Sequence, residues 1–307
     1  MTSTDVHPQL REAWAKAPKL PYHKLERLPT MRRASAAMGK TSPVEGVSVR
    51  NVQTDETAVR VYTPGKPGGA AVLWMHGGGL LLGTPEQDDA VCSALARDLE
   101  AVVVSVRYRF APEHPFPAAH DDCWSAWQWM QTQASAHGFD PGRVALAGTS
   151  AGGGLAATLA QRLRDEAEAQ SAAVLLRWPM LDDRTAVNPA VEDTAHVVWN
   201  NRSNRAAWGA YLGQAAGAET VSPYAVAARH EDLHGLPPTW IGVGTLDLFH
   251  DEAVAYARRL ALAEVPTSIE VVRGAFHDFT TLAPQAEISK ACLGQQRAFL
   301  RRYLSAT

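Results

Sequence analysis

The chain has 307 residues, of which 46% are hydrophobic and 20% charged, and its 29 basic and 32 acidic residues leave a net charge of −3, a balance typical of globular proteins. Without a block of basic residues it does not fit a nucleic-acid partner, because phosphate recognition needs clustered positive charge. The longest apolar runs fall far short of the ~20 residues that a membrane helix needs, and residues 1–20 lack the apolar core of a signal peptide, so we expect a cytoplasmic protein with no membrane span.

Strand-like and helix-like segments alternate from about residue 46 onward. Valines at every second position mark two opening strands near 47–49 and 59–61. Further strands are predicted at 70–75, 101–106, 143–147, 172–177, 239–243 and 267–272, and helices near 86–99, 116–137, 153–170, 251–263 and 286–305. Short apolar runs of this kind are typical of parallel strands covered on both faces. The pattern predicts an α/β fold with a mostly parallel central sheet of about eight strands flanked by helices.

Two regions interrupt this alternation. Residues 1–45 contain no strand pattern, and residues 183–235 are rich in Trp, Asn and Ala at helix-like spacing. We expect both to form a helical cap over the sheet. The predicted organisation is therefore an N-terminal helical cap segment, 1–45, and an α/β domain, 46–307, that carries a cap insertion at about 183–235.

A Gly-x-Ser-x-Gly motif follows one predicted strand and precedes an Ala-rich helix. A serine on such a tight strand-to-helix turn is exposed above the sheet, and Gly148 and Gly152 avoid collisions across the turn. This context makes Ser150 a candidate nucleophile. It also leaves the N–H of Ala151 at a helix N-terminus, where it can face a developing oxyanion.

A second motif, His76 followed by three glycines, ends another apolar strand. Consecutive glycines cost chain entropy and are tolerated where backbone N–H groups must approach a ligand closely. A carbonyl oxygen that gains negative charge is such a ligand. His76 itself is interpreted as a hydrogen-bonding residue that shapes the glycine loop.

A nucleophilic serine needs a base, and the base needs an orienting carboxylate. Apolar strands lead into Asp247 and into His277. The chain order Ser150, Asp247, His277 is that of an α/β hydrolase.

Five motifs occur together in order: His-Gly-Gly-Gly at 76–79, Tyr-Arg-Phe-Ala-Pro-Glu-His-Pro-Phe-Pro-Ala-Ala at 108–119, Gly-Thr-Ser-Ala-Gly-Gly at 148–153, Asp247-x-x-x-Asp251-Glu252, and Phe276-His277-x-Phe279. Over roughly residues 70–285 the chain resembles the hormone-sensitive lipase-like branch of the α/β-hydrolase carboxylesterases. Thr149 departs from the commoner family pattern, which has Asp before the serine.

The resemblance implies the roles of the catalytic residues. Ser150 is expected to be the nucleophile, His277 the general base and then acid, and Asp247 the residue that orients it. The oxyanion hole is expected to consist of the amides of Gly78, Gly79 and Ala151. No metal and no organic cofactor is expected.

Three residues are candidates for substrate binding. Leu80 stands where family members often carry an aromatic residue, and Trp199 and Trp208 fall in the expected cap. The resemblance implies a cap over acyl and alcohol pockets, and its composition favours an apolar pocket for short- to medium-chain esters. The expected activity is hydrolysis of such esters through an acyl-enzyme.

Other functions remain open from the residues. The same three catalytic side chains serve acyltransferases, amidases and lactonases, which differ in how water is excluded. A non-catalytic small-molecule receptor is a remote alternative, because plant receptors of this branch resemble the chain less at the base position. A homodimer is expected only because the family that the chain resembles often forms one.

Two motifs are misleading in their context. His230-Glu-x-x-His234 fits a zinc-protease pattern, but Gly235 follows directly and ends any helix. Residues 39–41 end like a phosphate-binding loop, but Ala34 occupies the position of its first glycine.

Overall fold

The central sheet is the frame on which the candidate site is built. The structure is a computed structural model that describes residues 4–19, 21–38, 42–166 and 169–305. Within these residues the strands are β1 (Val47–Gln53), β2 (Ala58–Pro64), β3 (Gly69–Met75), β4 (Ala101–Arg107), β5 (Phe139–Thr149), β6 (Ala173–Arg177), β7 (Thr239–Gly244) and β8 (Thr267–Val272).

The strands form one sheet in the order β1-β2-β4-β3-β5-β6-β7-β8. β2 runs antiparallel to both of its neighbours, β1 and β4. All other neighbouring strands, from β4 through β3, β5, β6 and β7 to β8, are parallel to each other. Side chains on both faces of β3 and β6 are buried, as expected for strands with a helical layer on each side. The predicted eight-stranded, mostly parallel sheet is confirmed.

Helices cover both faces of this sheet. Within the described ranges they are α1 (Arg11–Lys16), α2 (Leu28–Met38), α3 (Asp89–Leu99), α4 (Ala118–His137), α5 (Ala151–Asp165), α6 (Asn201–Leu212), α7 (His250–Leu262), α8 (Phe279–Leu282) and α9 (Glu287–Leu304). No helix among these residues has the length and apolar character needed to cross a bilayer.

Helix boundaries differ from the sequence prediction mainly at α5. The predicted helix begins at residue 153 and ends at 170, whereas α5 begins at Ala151, takes in all three glycines at 152–154 and ends at Asp165. Packing explains this, because a Cβ on Gly152 would lie 2.2 Å from the Met75 carbonyl oxygen and one on Gly154 would lie 2.3 Å from that of Met180. The glycines let α5 pack directly on the neighbouring backbone.

The two segments that interrupt the α/β alternation meet each other. The Val198 N–H donates to the Pro18 carbonyl at 3.0 Å, and the rings of Tyr22 and Trp199 lie 5.3 Å apart. Residues 183–235 contain α6 and two short 3-10 turns, Asp183–Val187 and Ala227–Arg229.

Of the two misleading motifs, the structure describes only His230-Glu-x-x-His234. His230 and His234 lie in irregular chain after a 3-10 turn, rather than on one face of a helix. Residues 39–41 lie outside the described part of the chain.

Candidate active site

Ser150 occupies a sharp turn between β5 and α5. Its backbone has φ 56° and ψ −121°, a left-handed conformation that is costly for a residue with a side chain. The flanking glycines allow the turn, since a Cβ on Gly148 would lie 2.2 Å from the Gly152 carbonyl oxygen. The strained turn places the Ser150 side chain at the carboxyl edge of the sheet, as the motif predicts.

The sheet brings Asp247 and His277 to the same edge. β7 and β8 are parallel neighbours, so the loops that follow them lie side by side. The Nδ1 atom of His277 lies 2.9 Å from Asp247 Oδ2 and 3.1 Å from Oδ1. Its Nε2 atom lies 3.0 Å from Ser150 Oγ. Three side chains that are far apart in sequence therefore form one hydrogen-bonded chain.

Burial and charge act in opposite directions on His277, which is 4% exposed. Burial lowers the pKa of an imidazole because it penalises the charged form, whereas the charge and hydrogen bond of Asp247 raise it. The Asp247 contribution prevails, and the pKa of His277 lies above its ordinary value of 6.5. The carboxylate thus stabilises the protonated ring that forms when the histidine accepts a proton.

The glycine loop lies opposite this chain of hydrogen bonds. Gly78 has φ 133°, and a Cβ there would lie 1.9 Å from the Leu82 carbonyl oxygen. In the described part of the chain, the amide N–H groups of Gly78 and Gly79 make no hydrogen bond. Ala151 is the first residue of α5, where a helix amide has no intrahelical acceptor. These unpaired donors are available to an anionic oxygen.

Two side chains hold the glycine loop in place. Gln87 Nε2 donates to the Gly77 carbonyl at 3.1 Å, and the same oxygen lies 2.8 Å from His76 Nδ1. Burial lowers the pKa of His76 to about 4, so the ring is neutral at physiological pH. His76 also stacks on Tyr108 with ring centroids 4.2 Å apart. The interpretation of His76 as a loop-shaping residue agrees with these contacts.

A cavity of about 110 Å³ adjoins Ser150 and His277. Gly77, Gly78 and Gly79 form one side of it, and Tyr22 and Trp199 from the two interrupting segments also line it. Trp199 lies directly on the loop, because a Cβ on Gly79 would be 2.0 Å from its Cη2 atom. Of the three candidate substrate-binding residues, the structure thus places Trp199 at the site.

Leu80 and Trp208 occupy a different position. They line a second, much smaller cavity of about 10 Å³ together with Ala151 and Tyr211. Leu80 is itself in the left-handed region with φ 62°, while Leu82, two residues later, lines the first cavity. The role of Leu80 and Trp208 in substrate binding stays a prediction, for the smaller cavity rather than for the cavity at Ser150.

Sequence reasoning missed several residues of the first cavity. Arg177 and Asp88 line it, and of these Arg177 is buried and Asp88 partly buried. A charged residue at the end of the apolar run 172–177 was a signal for Arg177. Tyr22 carried no comparable local signal, because only tertiary contacts bring the N-terminal segment to the site.

Comparison with known proteins indicates the same class of enzyme as the geometry of the site. A family model described as an alpha/beta hydrolase fold matches residues 72–281. The chain belongs to the hormone-sensitive lipase-like carboxylesterase family of α/β hydrolases. Carboxylesterase NlhH of Mycobacterium tuberculosis is 34% identical over 252 residues, which are 81% of this chain and 79% of that protein. The ethyl acetate hydrolase of Pseudomonas putida is 32% identical over 285 residues, 88% and 89% of the two chains.

Solved structures of family members superpose over the whole chain. A bacterial heroin esterase gives a TM-score of 0.91 at 33% identity and covers 100% of both chains. Esterase LipW of Mycobacterium marinum gives 0.83 at 32% identity, with 99% of this chain and 98% of that one covered. The prediction that the chain is a carboxylic ester hydrolase is confirmed.

Proposed function

We propose that this family member hydrolyses carboxylic esters by two-step acyl transfer at Ser150. His277 takes the Ser150 proton while Oγ attacks the ester carbonyl, and it returns that proton to the leaving alcohol. Water then attacks the acyl-enzyme with the same histidine as base and releases the acid. The observation that carries the proposal is the hydrogen-bonded chain Ser150–His277–Asp247. In each of its hydrogen bonds the nitrogen and oxygen atoms are 3.1 Å or less apart.

The unpaired amides opposite Ser150 complete the proposed mechanism. The N–H groups of Gly78, Gly79 and Ala151 are assigned to the carbonyl oxygen, which becomes negatively charged in the tetrahedral intermediate. Such fixed donors need no reorganisation during the reaction, and a single one is worth about 10²–10³ in rate in other hydrolases. The proposed oxyanion hole explains why the loop contains consecutive glycines at that place.

We further propose that residues 1–45 and 183–235 act as the cap. The contact between Tyr22 and Trp199, and the position of Trp199 on Gly79, support it. A site covered in this way, next to a small cavity, fits esters of short to medium chain length. Two relatives are named ethyl acetate hydrolase and acetyl-hydrolase, which agrees with small acyl groups. A cytoplasmic location and a homodimer stay predictions.

The proposal is tested with 4-nitrophenyl esters from acetate to palmitate. We expect kcat/KM to be highest between two and eight carbons and to fall at least tenfold at palmitate, because a chain that exceeds the cavity of about 110 Å³ must displace the packed side chains that line it. Ser150→Ala supplies the blank rate for every ester. A folded protein with no Ser150-dependent rate on any chain length contradicts the proposal.

The pH dependence of the reaction reports on His277. A general base must be neutral to accept a proton, so kcat/KM is expected to fall tenfold per pH unit on the acid side of its pKa. Because Asp247 raises that pKa, the midpoint should lie above 6.5. The measurement is kcat/KM for 4-nitrophenyl acetate from pH 5 to 9, corrected for the Ser150→Ala blank. A midpoint well below 6.5 would contradict the base assignment.

A further inference from the structure

Arg177 is a buried cation next to the proposed nucleophile. It ends β6 and pairs with Thr149 in the sheet register, and its carbonyl accepts the Ser150 N–H at 2.9 Å. Its side chain is only 2% exposed, yet it lines the cavity that holds Ser150 and His277. The guanidinium is therefore part of the wall of the site.

The hydrogen-bonding capacity of this guanidinium is largely unused. One nitrogen, Nη2, donates to Thr280 Oγ1 at 2.7 Å, while Nε is buried with no partner among the described residues. Two aromatic rings lie against the group, with Cζ 4.5 Å from the ring centroid of Trp178 and 5.6 Å from that of Trp74. The carboxyl groups of Asp88 and Asp278 lie near enough for the charge of Arg177 to lower their pKa. Among the described residues, no carboxylate oxygen lies within 4 Å of the guanidinium.

Two carboxyl groups share the cavity wall, but both are engaged elsewhere. Asp88 accepts the Trp74 Nε1–H at 2.7 Å, and Asp278 accepts the Thr281 hydroxyl at 2.7 Å. Burial raises the pKa of Asp88 to about 7, so that this carboxyl group is only partly ionised near neutral pH. Burial also raises the pKa of Asp278, while the charge of Arg177 lowers the pKa of both groups.

Two partly buried arginines of this chain are ion-paired. Arg229 meets both oxygens of Asp183, at 2.7 and 2.9 Å, and Arg60 meets both oxygens of Asp89, at 2.7 and 2.8 Å. Such pairing is the usual condition for burying a guanidinium, because an uncompensated charge in the interior is strongly unfavourable. Arg177 departs from this pattern at the position where a bound ligand could supply the missing anion.

We propose that Arg177 binds a carboxylate carried by the substrate, and that the natural substrates are esters with a second, free carboxylate group. This inference rests on the proposed hydrolysis at Ser150 and narrows its substrate class. The planar, always charged guanidinium suits carboxylate oxygens, and Arg177 lines the cavity that adjoins Ser150 and His277. Neutral esters fill the same space without this contact.

The test uses two pairs of esters in which a carboxylate is exchanged for an isopropyl group of similar shape. In one pair the charge is in the acyl half, 4-nitrophenyl hydrogen glutarate against 4-nitrophenyl 5-methylhexanoate. In the other it is in the alcohol half, 3-acetoxypropanoate against isopentyl acetate. The readout is the ratio of kcat/KM for the charged ester to that for its neutral partner.

Arg177→Met is expected to lower this ratio about tenfold or more in at least one pair, the usual worth of a hydrogen bond to a charged group. Arg177→Lys should give an intermediate ratio. Arg143→Met is the matched control, because it removes the same charge from β5 six residues before that strand ends at Thr149, where Arg143 donates to the Leu304 and Gly68 carbonyls. That variant should keep both ratios within threefold of wild type.

Ratios that are unchanged in a folded Arg177→Met protein, active on the neutral esters, would overturn the inference while leaving the proposed function intact. Absence of Ser150-dependent hydrolysis of any ester would instead contradict the proposed function. Calorimetry on Ser150→Ala gives a second readout that keeps Arg177 in place. Charged esters should bind more tightly there than their neutral partners in at least one pair, and equal or weaker binding in both pairs would also overturn the inference.

Discussion

Ser150→Ala is expected to lower kcat/KM for 4-nitrophenyl acetate by about 10⁶, the loss seen when the nucleophile of another serine hydrolase is removed. The variant loses the atom that forms the acyl-enzyme, and the neutral His277 has no hydroxyl left to activate. Only the unpaired amides and binding contacts would still assist attack by water.

The fold should tolerate this change. Ser150 Oγ makes its hydrogen bond with His277, and the strained backbone of the turn is set by the neighbouring glycines and by the Ser150 N–H bond to Arg177. We expect the Tm to stay within a few degrees of wild type, as is usual for a change of less than about 1 kcal/mol. Thermal unfolding and ester kinetics on the same preparation check both statements.

Ser289→Ala is the matched control. Ser289 is a buried serine of α9 whose hydroxyl has no hydrogen-bond partner among the described residues. The variant therefore removes the same atom from a serine that does not belong to the lining of the cavity at Ser150. Its kcat/KM should stay within twofold of wild type. A Ser150→Ala protein that keeps more than a few per cent of activity, with a normal Tm, would remove Ser150 from the mechanism.

The sheet was predictable from the sequence because a buried parallel strand leaves a simple trace. Segments such as 70–75 and 101–106 are apolar at nearly every position, since helices cover both faces of those strands. The same logic placed Asp247 and His277, because each follows such a run and parallel strands bring their carboxyl ends to one edge. Local pattern and topology together were enough to predict the spatial neighbourhood.

The walls of the cavity were not predictable in the same way. Tyr22 and Trp199 meet through contacts between two irregular segments, and no periodicity in either segment specifies the other. Leu80 follows the glycine loop in sequence, but it lines the smaller cavity, whereas Leu82 lines the cavity at Ser150. Arg177 looked like the polar end of a strand, whereas the neighbouring aromatic rings bury it. Positions of this kind depend on tertiary packing rather than on local pattern.

Asp247→Asn is expected to lower kcat by about 10⁴, by analogy with the same exchange in another serine hydrolase. The carboxylate accepts the Nδ1–H of His277 and leaves Nε2 free to take the Ser150 proton. An asparagine can instead donate its amide N–H to Nδ1. The proton of the neutral ring then resides on Nε2, which faces Ser150 Oγ, and the histidine can no longer act as a base in that tautomer.

The loss should carry a pH signature that a merely disordered site would not show. Because the Asp247 charge raises the pKa of His277, removing it should move the acid limb of the residual kcat/KM profile to lower pH. Asp251→Asn is the control, since that aspartate also lies beside a histidine, with His250 Nδ1 2.7 Å from Asp251 Oδ1, but its side chain is fully exposed. An exposed ion pair has little effect on the pKa of a buried histidine because water screens its charge. This variant should therefore keep the wild-type kcat and the wild-type midpoint on the acid side of the kcat/KM profile. Equal losses in the two variants, or an Asp247→Asn protein with an unshifted limb and near-normal kcat, would show that Asp247 does not set the tautomer and charge of His277.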